Sequence, residues 1–474
     1  MPAVLPGQLG DASFRAEHGL KLAYLAGAMA NGIASTQIVA SMARAGMLGF
    51  FGAAGLGLDR VEQAIDRLQA EIPGLPFGIN LIHSPHEPLL EAGCVELLLR
   101  RGVRLIEASA FLDLTLPVVR FRTAGLSRGT DGRIIAPNKI VAKVSRVEVA
   151  SRFFAPPPDR FLTQLVQQGH LTPDQAEMAR RIPVAQDVTA EADSGGHTDN
   201  RPAITLWPTL LALRDRLQQQ YAFDVPLRVG AAGGIATPAS VAAAFHLGVA
   251  YVVTGSINQA CRESGSSDTV REMLAAAEQA DVIMAPAADM FEMGVKLQVL
   301  KRGTMFAMRA QKLYELYRAY PALEAIPAAE RGQLEKNIFR LSLDEVWRQT
   351  EAFWKTRDPG QLERAARDDK HRMALMFRWY LGLSSRWANA GDAARKVDYQ
   401  VWCGPAMGAF NEWTRGSFLE DWRQRHVDEV AQNLLYGACV LTRLHFLRCQ
   451  GVPIPPDWAR ISPLPREQLH RWFA

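Results

Sequence analysis

The chain is poor in the features that mark several large classes of protein. Cysteine is scarce: Cys94, Cys261, Cys403, Cys439 and Cys449 are five residues in 474. Their number is odd and no two form a CxxC pair. That excludes a zinc knuckle and a disulfide framework, leaves no metal ligand set, and fits a reducing compartment. No uninterrupted apolar run reaches about 18 residues, so no membrane span is expected. The opening MPAVLPGQLGDASFRAEHG lacks the basic start and apolar stretch of a signal peptide, and a cytoplasmic location is expected. Neither sign of charge dominates. Lys and Arg number 53 against 49 Asp and Glu, a formal +4, which is too little for a nucleic-acid-binding face but leaves room for a local basic patch. Tandem repeats and low-complexity tracts are absent.

What is present is an ordinary globular composition, 48% hydrophobic and 22% charged, able to bury a large core. Short apolar runs alternate with amphipathic ones over the first 280 or so residues. The runs are LAYLAG (22–27), MLGFFG (47–52), PFGINLI (76–82), VRLIEAS (103–109), NKIVAKVS (138–145), VAQDVTAEA (184–192), PLRVGAAG (226–233) and AYVVTGS (250–256). Helical periodicity fills the gaps between most of them. Thr36, Asp59 and Thr237 are expected N-caps, and Gly46, Gly102 and Gly248 expected helix stops. Eight near-continuous apolar strands separated by helices predict an α/β fold, a (β/α)8 TIM barrel over residues 1–285. The long connection 153–183 is expected to be an inserted helical pair whose second helix starts at Thr172-Pro173. Beyond residue 285 strand-like runs disappear, and eight of the ten tryptophans follow residue 347. Residues 286–474 are therefore expected to form an all-helical subdomain.

Barrels of this kind bind ligands at the C-terminal ends of their strands. Here those positions carry GAMANGIAST, NLIHSPHEP, EADSGGHTD, GAAGGIATP and TGSINQ. The turns after the seventh and eighth strands place Gly233, Gly234, Gly255 and Ser256 where backbone N–H groups can hold a phosphate. Asn80 puts an amide on an apolar strand, and Ala28 and Met29 bring small or flexible surface to the mouth of the first. A flat heterocycle with amide edges and a phosphate tail satisfies that lining, and FMN fits the description. Lys143, at the end of the fifth strand, is placed to pair with such a ligand or with Asp187. His83 and His86 stand at the mouth too, His83 as a pocket or loop-stabilising residue.

Taken together, GAMANGIAST, FGINLI, EADSGGHTDNRP, RVGAAGGIATP and YVVTGSINQ resemble the nitronate-monooxygenase-like flavin barrels. EMGVKLQVLKRGTMFAMRAQKLYELY and VWCGPAMGAFNEW narrow this to a resemblance to the PfaD-type enoyl reductases. Those serve polyunsaturated fatty acid synthases and trans-acyltransferase polyketide synthases. The likeness runs from about Leu22 to about Pro455. It implies FMN held by Ala28, Met29 and Asn80, with its phosphate at Gly233, Gly234, Gly255 and Ser256, and His197 beside the isoalloxazine. It also implies NADPH or NADH as hydride donor and an enoyl thioester on an acyl carrier protein as substrate. Within that implication His197 is a proton donor and Gly195 and Gly196 offer loop N–H groups. Residues 286–474 would meet the carrier protein and synthase modules, with Lys301, Arg302 and Arg309 at the docking edge, and a homodimer is expected. A nitronate monooxygenase and a flavin-retaining, non-catalytic scaffold are the competing readings.

Overall fold

Each of the eight apolar runs forms a strand in the computed structural model, which describes residues 3–83 and 87–473. They are β1 (Tyr24–Ala26), β2 (Leu48–Phe51), β3 (Gly78–Ile82) and β4 (Leu105–Ser109). β5 (Lys139–Val144), β6 (Asp187–Glu191), β7 (Arg228–Ala232) and β8 (Val252–Thr254) complete the set. All pair in parallel with their neighbours in sequence. β8 closes the barrel on β1 through Tyr24↔Val252, Leu25↔Val253 and Ala26↔Thr254. The runs read as continuously apolar because barrel helices cover their outer faces while side chains fill the inside.

Helix boundaries follow from local chemistry. Gly46, Gly102 and Gly248 take the left-handed conformation just past their helices, with φ of 73°, 68° and 92°. Thr237 caps its helix through Ser240, and Thr172 caps the second inserted helix through Gln175. Two expected caps are displaced. Ser35, one residue earlier than Thr36, accepts from the N–H groups of Gln37 and Ile38, and Gly57 stands at the cap while Asp59 falls in the first turn. The connection after β5 contains the expected pair, Asp159–Gln167 and Pro173–Ala179.

The N-terminal helix Ala12–His18 inserts Phe14 into the barrel core, stacked on Tyr251 with ring centroids 4.2 Å apart. Beside it Arg228 donates to both oxygens of Asp187, and His18 lies 2.8 Å from Asp187 Oδ2. Burial works against the Asp187 charge, but Arg228 and His18 outweigh it and hold the carboxyl below its usual range. The N-terminal end of the barrel is therefore plugged by a ring and a satisfied ion cluster.

The chain divides into two compact units. The first comprises Met1–Ser194, Thr198–Gly265 and Ala406–Ala474. Its late helix Val427–Cys449 packs on the helix Pro238–His246, which follows β7. Gly437 permits that contact, since a Cβ there would lie 2.6 Å from Pro238 Cγ. The second unit holds Gly195–His197 and Ser266–Pro405. The boundary thus falls at residue 265 where 285 was expected, and residues 406–474 cluster with the barrel. The second unit is largely helical, with one addition that the sequence did not suggest. β9 (Val282–Pro286) and β10 (Lys296–Leu300) pair antiparallel, and the two-residue strand Gly196–His197 joins β10. Its core runs from Phe291 through Phe339 to Phe377 and Tyr380. Among the described residues, no helix is long and apolar enough to cross a membrane, and no cluster of three metal-ligating side chains occurs.

Candidate active site

Three charged side chains converge from β4, β5 and β6. Glu107, at the middle of β4, is fully buried, with 0% of its surface exposed. Its Oε2 accepts a hydrogen bond from the N–H of Ala28 at 3.1 Å. Lys143 Nζ lies 3.6 Å from Glu107 Oε2 and 3.5 Å from Glu191 Oε1, bridging the two carboxylates. The Asn80 side-chain N–H₂ donates to Glu107 O at 3.0 Å and to Ser109 Oγ at 2.7 Å. That leaves Asn80 Oδ1 an open acceptor among the described residues, beside a cleft lined by Ala53, Ala54, Leu56 and Ile82. Ala28, Asn80 and Lys143 are thus gathered around Glu107, which sequence reading missed.

The charge states follow from the surroundings. Burial raises the Glu107 carboxyl above its usual range; Lys143 opposes the rise and Glu191 adds to it. Burial works against the Lys143 ammonium, but Glu107 and Glu191 outweigh that and raise its pKa. The expected alternative pairing of Lys143 with Asp187 does not occur, because Asp187 is taken by Arg228 and His18.

The turns after β7 and β8 leave neighbouring strands, paired at Ala231↔Val252. Gly233 and Gly234 both adopt positive φ, 78° and 77°. A Cβ at Gly233 would lie 2.5 Å from the carbonyl carbon of Ala192, so only glycine fits against that backbone. The N–H groups of Ala236 and Thr237 are already occupied by Ser240 Oγ, both at 3.0 Å. Those of Gly233, Gly234, Ile235 and Gly255 donate no hydrogen bond among the described residues. Anion-binding capacity therefore lies in the turn ahead of the helix and not in its capped first turn. Met29 and Ser256 sit half-buried at the ends of β1 and β8.

Gly195, Gly196 and His197 belong to the second unit. The bare side of Gly195 faces the chain at Cys403 and Gly404, where a Cβ would stand 2.9 Å from backbone atoms. Its lack of a side chain thus serves internal packing. Gly196, at φ 79°, has open space on that side. His197 Nε2 lies 3.1 Å from Asp289 Oδ1. Burial opposes the Asp289 charge, but His197 and Arg378 hold its carboxyl below the usual range. Asp289 stands 92 residues along the chain from His197 and carries no motif of its own. In the first unit, the continuation of the same loop is anchored by Asp199. It accepts from Arg146 Nε and Nη2, both at 2.9 Å, and from Ser145 Oγ at 2.6 Å.

The other singled-out residues fall into place. His83 Nδ1 lies 2.8 Å from Glu91 Oε2 and its ring stacks on Phe111, a loop-stabilising arrangement. His86 lies outside the described residues. Arg309 pairs internally with Asp398, which is 0% exposed. Arg302 is tied to Ala276 O and Asp281 at 2.7 and 3.0 Å, and Lys301 is exposed.

Comparison with known proteins gives three kinds of match. A family model described as nitronate monooxygenase matches residues 20–315. One described as the inserted helical domain of acyl-carrier-protein S-malonyltransferase matches residues 320–399. The enoyl reductase domain of MlnA, from the macrolactin biosynthesis cluster of Bacillus amyloliquefaciens, superposes with a TM-score of 0.89 at 39% identity. The match covers 93% of this chain and 99% of that domain. A polyunsaturated fatty acid synthase subunit of a Thraustochytrium species is 50% identical over 93% of this chain and 30% of its own length. Polyketide biosynthesis protein PksE of Bacillus subtilis is 45% identical over 91% of this chain and 56% of its own. The chain thus spans from under a third to just over half of those two relatives. FabK of Thermotoga maritima, at 18% identity and a TM-score of 0.55, shares the fold.

Proposed function

The chain belongs to the nitronate monooxygenase family, a family of flavin-dependent oxidoreductases, and from that premise we propose that it is a trans-acting, FMN-dependent enoyl reductase. Its substrate in this reading is an α,β-unsaturated thioester on an acyl carrier protein, and NADPH or NADH supplies the electrons. The setting is polyketide or polyunsaturated fatty acid synthesis. The observation that carries the reading is the likeness to the MlnA enoyl reductase domain across 99% of that domain. The synthase proteins among the relatives support it. So does the match of residues 320–399 to a helical domain of an acyl-carrier-protein enzyme.

The barrel mouth fits the cofactor on its own chemistry. The unused N–H groups of Gly233, Gly234 and Gly255, with Ser256, are assigned the FMN phosphate. Ala28, Met29 and Asn80 are assigned the ring, the open Asn80 Oδ1 accepting from its N–H edge, and Lys143 supplies positive charge. When bound, FMN supplies the two-electron carrier chemistry that couples NAD(P)H oxidation to reduction of the double bond. The protein must stabilise the negative charge that develops on the thioester oxygen and deliver a proton to the α-carbon. His197 is assigned the proton, with Gly196 as its loop neighbour. Asp289 orients the imidazole through Nε2.

The test is turnover by the purified chain. NADPH oxidation that requires an enoyl thioester of carrier protein or of pantetheine is the expected result. Oxygen uptake that requires a nitronate would assign the chain to monooxygenase chemistry, and flavin retention without either activity would make it a scaffold.

A further inference from the structure

Glu107 is the one residue to which Ala28, Asn80 and Lys143 are all joined, and its state is set by an imbalance. Its Oε1 is buried with no hydrogen-bond partner among the described residues, while Oε2 takes the Ala28 N–H and faces Lys143. A second carboxylate, Glu191, shares the same ammonium. One positive charge therefore serves two acids. The more buried of them has an oxygen with almost no exposed surface and no hydrogen-bond partner among the described residues. Leaving a carboxylate oxygen bare in a dry site costs far more than leaving a neutral carboxyl oxygen bare.

We propose that Glu107 carries a proton in the folded protein at neutral pH, and that as a neutral acid it is the positioning residue of the flavin seat. The proton cancels one negative charge, so the cluster of Glu107, Lys143 and Glu191 is neutral overall. Lys143, whose side chain is 15% exposed, then presents its ammonium to the mouth against a single counter-charge. Through Oε2 the same group fixes the Ala28 N–H and so the start of the turn after β1. Glu191 is the acid that acts on it, and Lys143 the base. Asn80 contributes only its amide from β3, and Gly27 only backbone from β1, a Cβ there lying 3.5 Å from Glu107 Oε1. Tyr251 stays un-ionised chiefly through burial, with Asp187 adding to the effect and Thr189 and Arg228 opposing it. This inference rests on the reading of the barrel mouth as a flavin seat.

Glu107→Gln copies the neutral acid in shape and charge, and it is the discriminating variant. The first readout needs no cofactor. The infrared difference between the wild-type apoprotein and E107Q should contain the carbonyl stretch of a protonated carboxyl. Its absence at pH 7 overturns the proposal whether or not flavin binds. The second readout is titration of each apoprotein with FMN. At pH 7 E107Q should bind FMN within about threefold of wild type, a difference under ~1 kcal/mol. Above the titration of Glu107 the wild type should weaken at least tenfold while E107Q does not; ionisation of the FMN phosphate affects both alike. A folded E107Q that binds at least tenfold more weakly at pH 7, or identical pH profiles from pH 5 to 10, overturns the proposal. A wild-type chain that shows the carboxyl stretch but binds no flavin sinks the cofactor reading and the positioning role, leaving only the protonation.

Discussion

Gly233 and Gly234 share a backbone conformation and differ in space, which makes the pair a controlled experiment on the phosphate turn. Both sit near φ +78°. An alanine in that region costs about 1–2 kcal/mol of backbone strain at either position. At Gly234 nothing lies within 4 Å of the added Cβ, so the strain is the whole cost. At Gly233 the Cβ would also stand 2.5 Å from Ala192 C and 2.6 Å from Ala192 O, both backbone atoms that cannot swing aside. Forcing them apart adds about 1–3 kcal/mol, for a total near 2–5 kcal/mol. In the unliganded protein the turn can relax to shed that cost, and binding must restore it. Taken at 1.4 kcal/mol per factor of ten, G233A should weaken FMN binding from about 30-fold to a few thousandfold. G234A should lose no more than about 30-fold. Fluorescence titration of the two apoproteins, beside their thermal unfolding, reads both numbers. FMN binding unchanged in G233A, or a larger loss in G234A, would refute the assignment of the phosphate to this turn.

Three further expectations concern the other parts of the structure. His197→Ala should keep flavin while enoyl reduction slows by about 100- to 10,000-fold, and an unslowed rate would reduce the imidazole to a structural role. The Arg146 guanidinium, with Ser145, holds the Asp199 carboxyl down to about 2. A depressed carboxyl stabilises the fold above its unfolded pKa of about 3.9 and loses that contribution as pH falls through its folded value. Wild type should therefore lose more stability than Asp199→Asn between about pH 4 and pH 2, and parallel acid melts would contradict this. Phe14→Ala should lower the unfolding free energy by about 3–5 kcal/mol in denaturant titration, since the ring is 0% exposed in the barrel core; a change below about 1 kcal/mol would mean the plug is dispensable.

The parts of the fold that were legible in sequence are those fixed by neighbours along the chain. A glycine that ends a helix, as at Gly102, acts through its own φ, and an apolar run such as NKIVAKVS announces a buried parallel strand before any partner is known. Thr36 illustrates the limit of that reading, because Ser35 beside it has the same capping chemistry and won the position. Glu107 was invisible for a different reason. In VRLIEAS it looks like a single polar interruption, and only the register that sets β4 beside Asn80 on β3 and brings Lys143 to it from β5 shows that it is a hub. Asp289 and the return of residues 406–474 to the barrel depend on contacts across tens to hundreds of residues, which no local pattern encodes. β10 escaped because KLQVL is short and mixed, and its pairing with β9 and with Gly196–His197 is what makes it a strand.

Every residue role proposed for the barrel mouth depends on flavin binding there. Denaturing the purified chain and measuring the flavin released, by absorbance near about 450 nm and by mass, tests this most directly. One FMN per chain, or one-to-one reconstitution of the apoprotein by added FMN, is the predicted result. A folded chain that releases no flavin and takes none up would contradict it.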